Sequence, residues 1–220
     1  MAQLRSRLIL PSQVLPMFAA ETFYYFAYGS CMCPVDLARS LGETLYPYVI
    51  GPAQLNGYRL GFYRRSRRRN CGALDIVPDA QAAVQGVLYC LPARVSDRLD
   101  QREAVPHNGY RREPVTVRCG DRHYPTVRTY VVVDKLPREL APNDDYFQTV
   151  LRGAVTTGLP AAYCWQLFHH MHTLQQQAPE PVVCAPTDAD GGAGAFSQQS
   201  QQYCFRSNHI HVNDTDSGIA

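Results

Sequence analysis

Phe23-Tyr24-Tyr25-Phe26-Ala27-Tyr28 runs without a charge or a break, and Gly29-Ser30-Cys31-Met32-Cys33-Pro34 follows at once. An unbroken apolar and aromatic run marks a strand covered on both faces, because a half-exposed strand alternates. Gly29 and Ser30 end the run. Pro34 stands where a helix accepts proline, in its first turn, ahead of Val35, Leu37, Ala38 and Leu41. Gly42 is the expected helix end. A buried strand that passes directly into a helix points to a mixed α and β domain.

Working outward, residues 46–90 change texture to short segments rich in Tyr, Val, Leu and Ile. Tyr48–Ile50, Tyr58–Tyr63, Ala73–Val77 and Ala83–Tyr89 are punctuated by Gly and Pro and read as antiparallel strands with turns. Residues 92–103 are predicted as a helix opened by Pro92. Strands follow near Arg111–Arg118 and Tyr124–Val133, with Gly120 and Asp121 between them. Two helices are predicted over 143–156 and 160–176, the first capped by Asn143 or Asp144. Tyr146, Val150 and Ala154 share one face of that helix, with Phe147, Leu151 and Val155 beside it. Leu167, Phe168, Met171 and Leu174 continue the apolar face in the second. Residues 22–177 therefore form one α+β domain, a mainly antiparallel, barrel-like mixed sheet with surrounding helices.

The flanks differ. After Gln177 the chain turns to Pro, Gly, Ala, Ser and Gln, so 178–220 is expected to be a disordered low-complexity tail. Arg5 and Arg7 ahead of Leu8–Leu10 and Val14–Ala20 imitate an export signal, but Pro11, Gln13 and Pro16 interrupt it. A disordered lead-in over 1–21 is the expectation, with Met17 an alternative start.

With 220 residues and 45% of them hydrophobic, the chain builds a core without a disulfide or metal staple. The eight cysteines are accordingly expected as reduced thiols; none shows CxxC spacing, and Cys31 with Cys33 is a CxC without a second half. No apolar run approaches the roughly 20 residues that span a bilayer, so a membrane is not expected, and the net charge of +2 does not call for a nucleic acid.

Four features could carry chemistry. The Tyr28-Gly29-Ser30-Cys31-Met32 break lies where backbone N–H groups lack helical partners, which suits an anion such as a carboxylate; a glycine that merely turns the chain gives the same spacing. Val95, Leu99 and Glu103 lie at i, i+4 and i+8, so Glu103 points inward unless the helix end lets it reach solvent. An inward carboxylate has its pKa raised by burial and becomes a usable base near neutrality. Arg64, Arg65, Arg67, Arg68 and Arg69 could contact nucleic-acid phosphates, but without a second basic patch they read as a solvated hairpin loop between two strands. His169, His170 and His172 share a helix without HExxH spacing or a nearby carboxylate, so no metal site is expected. A GxSxG elbow is absent, and Ser30 has no evident histidine base.

Phe26-Ala27-Tyr28-Gly29-Ser30-Cys31-Met32 closely resembles the YGSNL signature near the start of γ-glutamylcyclotransferases. Gly86–Tyr89, Leu99-Asp100-Gln101-Arg102-Glu103, Tyr110, Tyr146 and Gly158-Leu159-Pro160 with Tyr163 resemble later parts of that family in order and spacing, over roughly 23–176. The resemblance implies a closed sheet of five or more strands and a pocket between the 28–32 loop and Glu103. Backbone N–H groups of Tyr28, Gly29 and Ser30 would hold the α-carboxylate of a small γ-glutamyl substrate, and Cys31 and Met32 would complete the binding loop. Glu103 would be the general acid and base, and Tyr146 would line or close the pocket. It implies no cofactor, no metal and no nucleic acid or membrane partner, in a cytoplasmic monomer or homodimer.

Cys31 stands where the signature usually has asparagine, and Met32 where it has leucine. If the asparagine side chain fixes the loop in other members, this loop is held differently, with its backbone donors unaffected. Two rivals keep the scaffold: a γ-glutamyl hydrolase or acyl remover, and a non-catalytic binding protein. Product identity separates the first. The second is favoured if Glu103 is salt-bridged to Arg102 or Arg112 outside any cavity.

Overall fold

The computed structural model describes residues 21–177. The tail expected over 178–220 and the lead-in up to Ala20 lie outside the described residues. Strand β1 (Thr22–Ala27) leads through a single 3-10 turn at Ser30–Met32 into helix α1 (Pro34–Leu41). Strands β2 (Val49–Ser66) and β3 (Cys71–Pro92) form a long hairpin, and helix α2 (Ser96–Arg102) follows. Strands β4 (Tyr110–Cys119) and β5 (Arg122–Val132) make a second hairpin before helices α3 (Asp144–Thr156) and α4 (Ala161–Gln177). The strands close into a barrel in the order β1-β3-β2-β4-β5. Every junction is antiparallel except the closing one, where β1 meets β5 in parallel at Tyr25 and Arg128.

The expected class stands, and so do the strand–turn–helix start, the capping glycine and the later hairpin. Gly42 takes the left-handed conformation (φ 72°) after α1, which a side chain would resist. Three details differ. The four short segments predicted over 46–90 are two strands of 18 and 22 residues. The Gly and Pro punctuation marks bulges within them, at Val49/Gly51, Asn56/Tyr58 and Gly61/Arg64, rather than turns between them. Pro92 ends β3 instead of opening a helix, so α2 begins later, at Ser96. β1 is fully covered only from Tyr25 onward, since Tyr24 is largely exposed.

The core is one continuous cluster in which Phe26, Phe62, Leu74, Leu88 and Tyr89 are fully or almost fully buried. Each such side chain contributes about 1.5–3 kcal/mol. Tyr146, Val150 and Ala154 of α3 join it as predicted, whereas Val155 on the flank faces solvent. α3 lies close against the 30–33 turn: a Cβ on Gly153 would sit 2.6 Å from the Cys33 nitrogen and 2.9 Å from the Met32 carbonyl carbon. Only glycine allows that approach.

Asn143 caps α3, its Oδ1 accepting from the Tyr146 N–H (2.9 Å) while its Nδ2 donates to the Arg69 carbonyl (2.8 Å). One residue thus anchors both α3 and the tip of the β2–β3 hairpin. Asn143→Ala is expected to lower stability by about 1–2 kcal/mol. A reduced urea midpoint with an unchanged slope would show it; an unchanged midpoint would refute it.

Candidate active site

The turn after β1 is built from local bonds. The Met32 N–H donates to the Gly29 carbonyl (2.9 Å) and the Cys33 N–H to that of Ser30 (3.2 Å). Amides ahead of such a turn have no helical acceptor. From beneath, the Tyr89 hydroxyl lies 3.1 Å from both the Cys31 and the Met32 carbonyl oxygens. Tyr28, Gly29, Ser30 and Cys31 all line one pocket, but Met32 does not. The Met32 side chain is fully buried beside α3, so its expected place in the binding loop is corrected to one in the core beneath it.

Glu103 follows the last residue of α2, its N–H still bonded to the Leu99 carbonyl (3.0 Å). Val95 and Leu99 are fully buried, and Glu103 continues their face into the same pocket. The Cys31 thiol donates to Glu103 Oε1 across 3.1 Å. Behind it, Arg102 Nε donates to Cys31 Sγ (3.0 Å), while Nη2 reaches Asp36 Oδ2 (2.5 Å) and Ser30 Oγ (3.3 Å). Its Nη1 donates to Ser40 Oγ and to the Asp36 carbonyl (3.3 Å). Arg102 therefore ties α1, α2 and the 28–31 turn together, and a relay runs from it through Cys31 to Glu103.

Burial raises the Glu103 pKa above the ordinary carboxylate range, with Arg102, the Cys31 bond and Arg64 opposing it in part. Among the described residues Glu103 forms no ion pair; Arg102 pairs with Asp36 and Arg112 with Asp100. The condition that would favour a non-catalytic scaffold is thus not met. Burial also lifts the Cys31 thiol to about 12. At neutral pH Cys31 is a neutral hydrogen-bond donor rather than a nucleophile.

The pocket encloses about 750 Å³. Tyr110 and Tyr146 form its inner wall through opposite bonds to one residue. The Tyr110 hydroxyl donates to the Leu74 carbonyl (2.8 Å), and that of Tyr146 accepts from the Leu74 N–H (3.1 Å). Tyr146 therefore lines the pocket, with its hydroxyl beside Gly29.

The arginine run does form the expected hairpin tip, but it is not merely solvated: all five arginines line the pocket. The Arg64 guanidinium lies 4.4 Å from the centre of the Tyr110 ring, and that of Arg69 pairs with Asp36 (3.3 Å) and lies 5.3 Å from the Tyr146 ring. Their neighbourhood with α1, α2 and α3 is set by the barrel, which local spacing does not encode. The histidine reading also needs correcting in one respect. Glu139, far away in the chain, stands 3.0 Å from His170. That pair is a single contact, and no three His, Cys, Asp or Glu side chains among the described residues could jointly hold a metal ion. Nor is any helix among them long and apolar enough to cross a membrane.

The closed five-strand barrel is a γ-glutamylcyclotransferase-like fold. Residues 83–167 match the AIG2-like family, and the fold is that of γ-glutamylcyclotransferase-like proteins. YkqA of Bacillus subtilis (strain 168), a provisionally named gamma-glutamylcyclotransferase, is 33% identical over 151 residues, covering 69% of this chain and 53% of YkqA. The chain thus spans about half the length of that relative. The crystal structure of YkqA superposes with a TM-score of 0.64 over 70% of this chain and 55% of its own. A solved gamma-glutamyl cyclotransferase (24% identical) and an uncharacterized protein of Homo sapiens (25%) each give a TM-score of 0.60 over 67% of this chain and 86% of theirs.

Proposed function

We propose that this protein is a γ-glutamylcyclotransferase, converting a γ-glutamyl amide to 5-oxoproline and a free amine. The observation that carries the reading is Glu103: a carboxyl raised in pKa by burial, free of any ion pair among the described residues, and facing the 28–31 turn. The amides of Tyr28, Gly29 and Ser30 take the substrate α-carboxylate, and Tyr146 lines the wall beside Gly29.

The chemistry needs only a proton carrier. The α-ammonium, with a pKa near 8 in free peptides, first loses a proton to solvent. The α-amine nitrogen then attacks the γ-carbonyl carbon, and Glu103 takes the second proton as the C–N bond forms. The bond to the departing nitrogen breaks as Glu103 returns that proton to it. The released amine takes up from solvent the proton that the α-ammonium first gave to it, so reactants and products balance without a hydrolytic water. Holding the chain folded for five-membered ring closure exploits effective molarities of about 10⁵–10⁸ M, so positioning supplies much of the rate.

A base with a raised pKa moves the acidic limb of the rate profile upward. In kcat/KM against pH, activity should rise through a pKa above the ordinary glutamate value of about 4.3. A limb at or below that value would contradict the assignment of Glu103. The reading as a whole is tested by incubating the protein with γ-glutamyl amino acids, γ-glutamyl amines and glutathione and measuring 5-oxoproline by mass spectrometry. Free glutamate in its place would indicate a hydrolase, and no product from a folded protein would exclude cyclisation of these compounds.

A further inference from the structure

We infer that the pocket selects γ-glutamyl compounds whose departing half is itself acidic, and that the arginine tip of the β2–β3 hairpin reads that charge. The inference rests on the cyclotransferase reading and names the substrate class within it. Six arginines line the pocket (64, 65, 67, 68, 69 and 102) against two carboxylates, Glu103 and Asp134.

Three of the six are already answered. Arg69 and Arg102 both pair with Asp36, whose pKa burial would raise but which the two guanidinium groups hold below the usual range. Arg64 lies against the Tyr110 ring and reaches the Glu103 carbonyl at 3.5 Å. Arg65, Arg67 and Arg68 are exposed, and among the described residues none has a carboxylate partner. Among the described residues, Arg65 makes one side-chain bond, a long one to Asn70 (3.4 Å).

The γ-glutamyl half cannot answer these three. It carries one ammonium and one carboxylate, sums to zero, and on the cyclotransferase reading its carboxylate is already held by the 28–31 amides. The departing half is the part left to face Arg65, Arg67 and Arg68 on the pocket lining. A departing amino acid with a side-chain carboxylate, or a short acidic peptide, brings the missing negative charge to planar guanidinium forks suited to it. Because the forks are exposed, the discrimination is modest and salt-dependent.

The test compares γ-glutamyl-glutamate with γ-glutamyl-glutamine, which differ in charge at nearly equal shape. The ratio of kcat/KM should favour the acidic dipeptide by about tenfold at low salt, and should shrink towards unity by about 0.5 M sodium chloride. In the Arg67→Gln/Arg68→Gln double variant the ratio should collapse at low salt too. Calorimetric binding of both dipeptides to Glu103→Gln reads the same preference without turnover. Equal kcat/KM for the two dipeptides overturns this inference and leaves the cyclotransferase reading standing. Absence of product from both sinks that reading, and the binding arm then decides the charge preference alone: equal or undetectable binding overturns it. A short oligonucleotide bound more tightly than either dipeptide would reassign the arginines to phosphate and likewise overturn it.

Discussion

Glu103→Gln is expected to lower 5-oxoproline formation by about 10²–10⁴-fold while leaving the fold intact. The amide keeps the shape of the carboxyl and can still accept the Cys31 thiol bond, now 3.1 Å long. It cannot carry a proton from the attacking amine to the departing one. Substrate binding through the 28–31 amides should persist, so the loss should fall on kcat more than on KM.

Stability should move the other way. Burial raises the folded-state pKa of Glu103 above its unfolded value. Ionising it therefore costs stability as pH rises above the unfolded pKa, and costs nothing well below it. Glutamine removes that cost, so the variant should match wild type in acid and equal or exceed it at neutral pH. Thermal unfolding across pH, beside the product assay, checks both halves. An active variant would remove Glu103 from the mechanism; an inactive and unfolded one would show that the residue is structural.

Arg102→Met is the second large effect expected. The side chain is 6% exposed and holds Asp36, Ser30, Ser40 and Cys31 in one place. Removing one partner of a buried pair leaves the other charge uncompensated, typically at 3–5 kcal/mol. Because Arg69 still faces Asp36, the expected loss is near the low end, about 3 kcal/mol. The sign with pH follows from Asp36. Its folded pKa is depressed, so the stability it supplies is present above the ordinary aspartate range near 3.9 and is lost as pH falls through its lower folded value. The difference between wild type and variant should therefore be largest near neutrality and should narrow in acid.

Catalysis supplies an independent readout. Arg102 lowers the Glu103 pKa against the pull of burial. Without it the acidic limb of kcat/KM should shift to higher pH, a change that loss of stability alone does not produce. A variant that is destabilised but keeps the wild-type limb would confine Arg102 to structure.

Much of the fold was legible because its signals are local. An unbroken aromatic run followed by Gly-Ser and Pro is enough to place β1, a turn and α1, and Asn143 with Asp144 is enough to mark the start of α3. Glu103 was legible in part: helical period puts it in line with Val95 and Leu99, both fully buried, but left open an escape to solvent at the helix end, and only the resemblance gave it a role. The β2–β3 hairpin was not. Gly51, Gly57 and Pro78 look like turn residues, yet long cross-strand pairing absorbs them at or beside bulges, and pairing partners far apart in the chain leave no local mark.

The same division holds at the site. Local chemistry marked a strand-to-helix turn, a carboxyl on the period of an apolar helix face and a cluster of arginines, because period and residue type depend on neighbours a few positions away. Tertiary structure alone decided that the arginines rim the same pocket as the carboxyl, that Met32 turns to the core while Cys31 faces Glu103, and that Arg102 links the two. Those placements depend on barrel closure and on the packing of α3 at Gly153. A charge becomes a specificity element, and a carboxyl a base, only through the distances and burial that such long-range contacts impose.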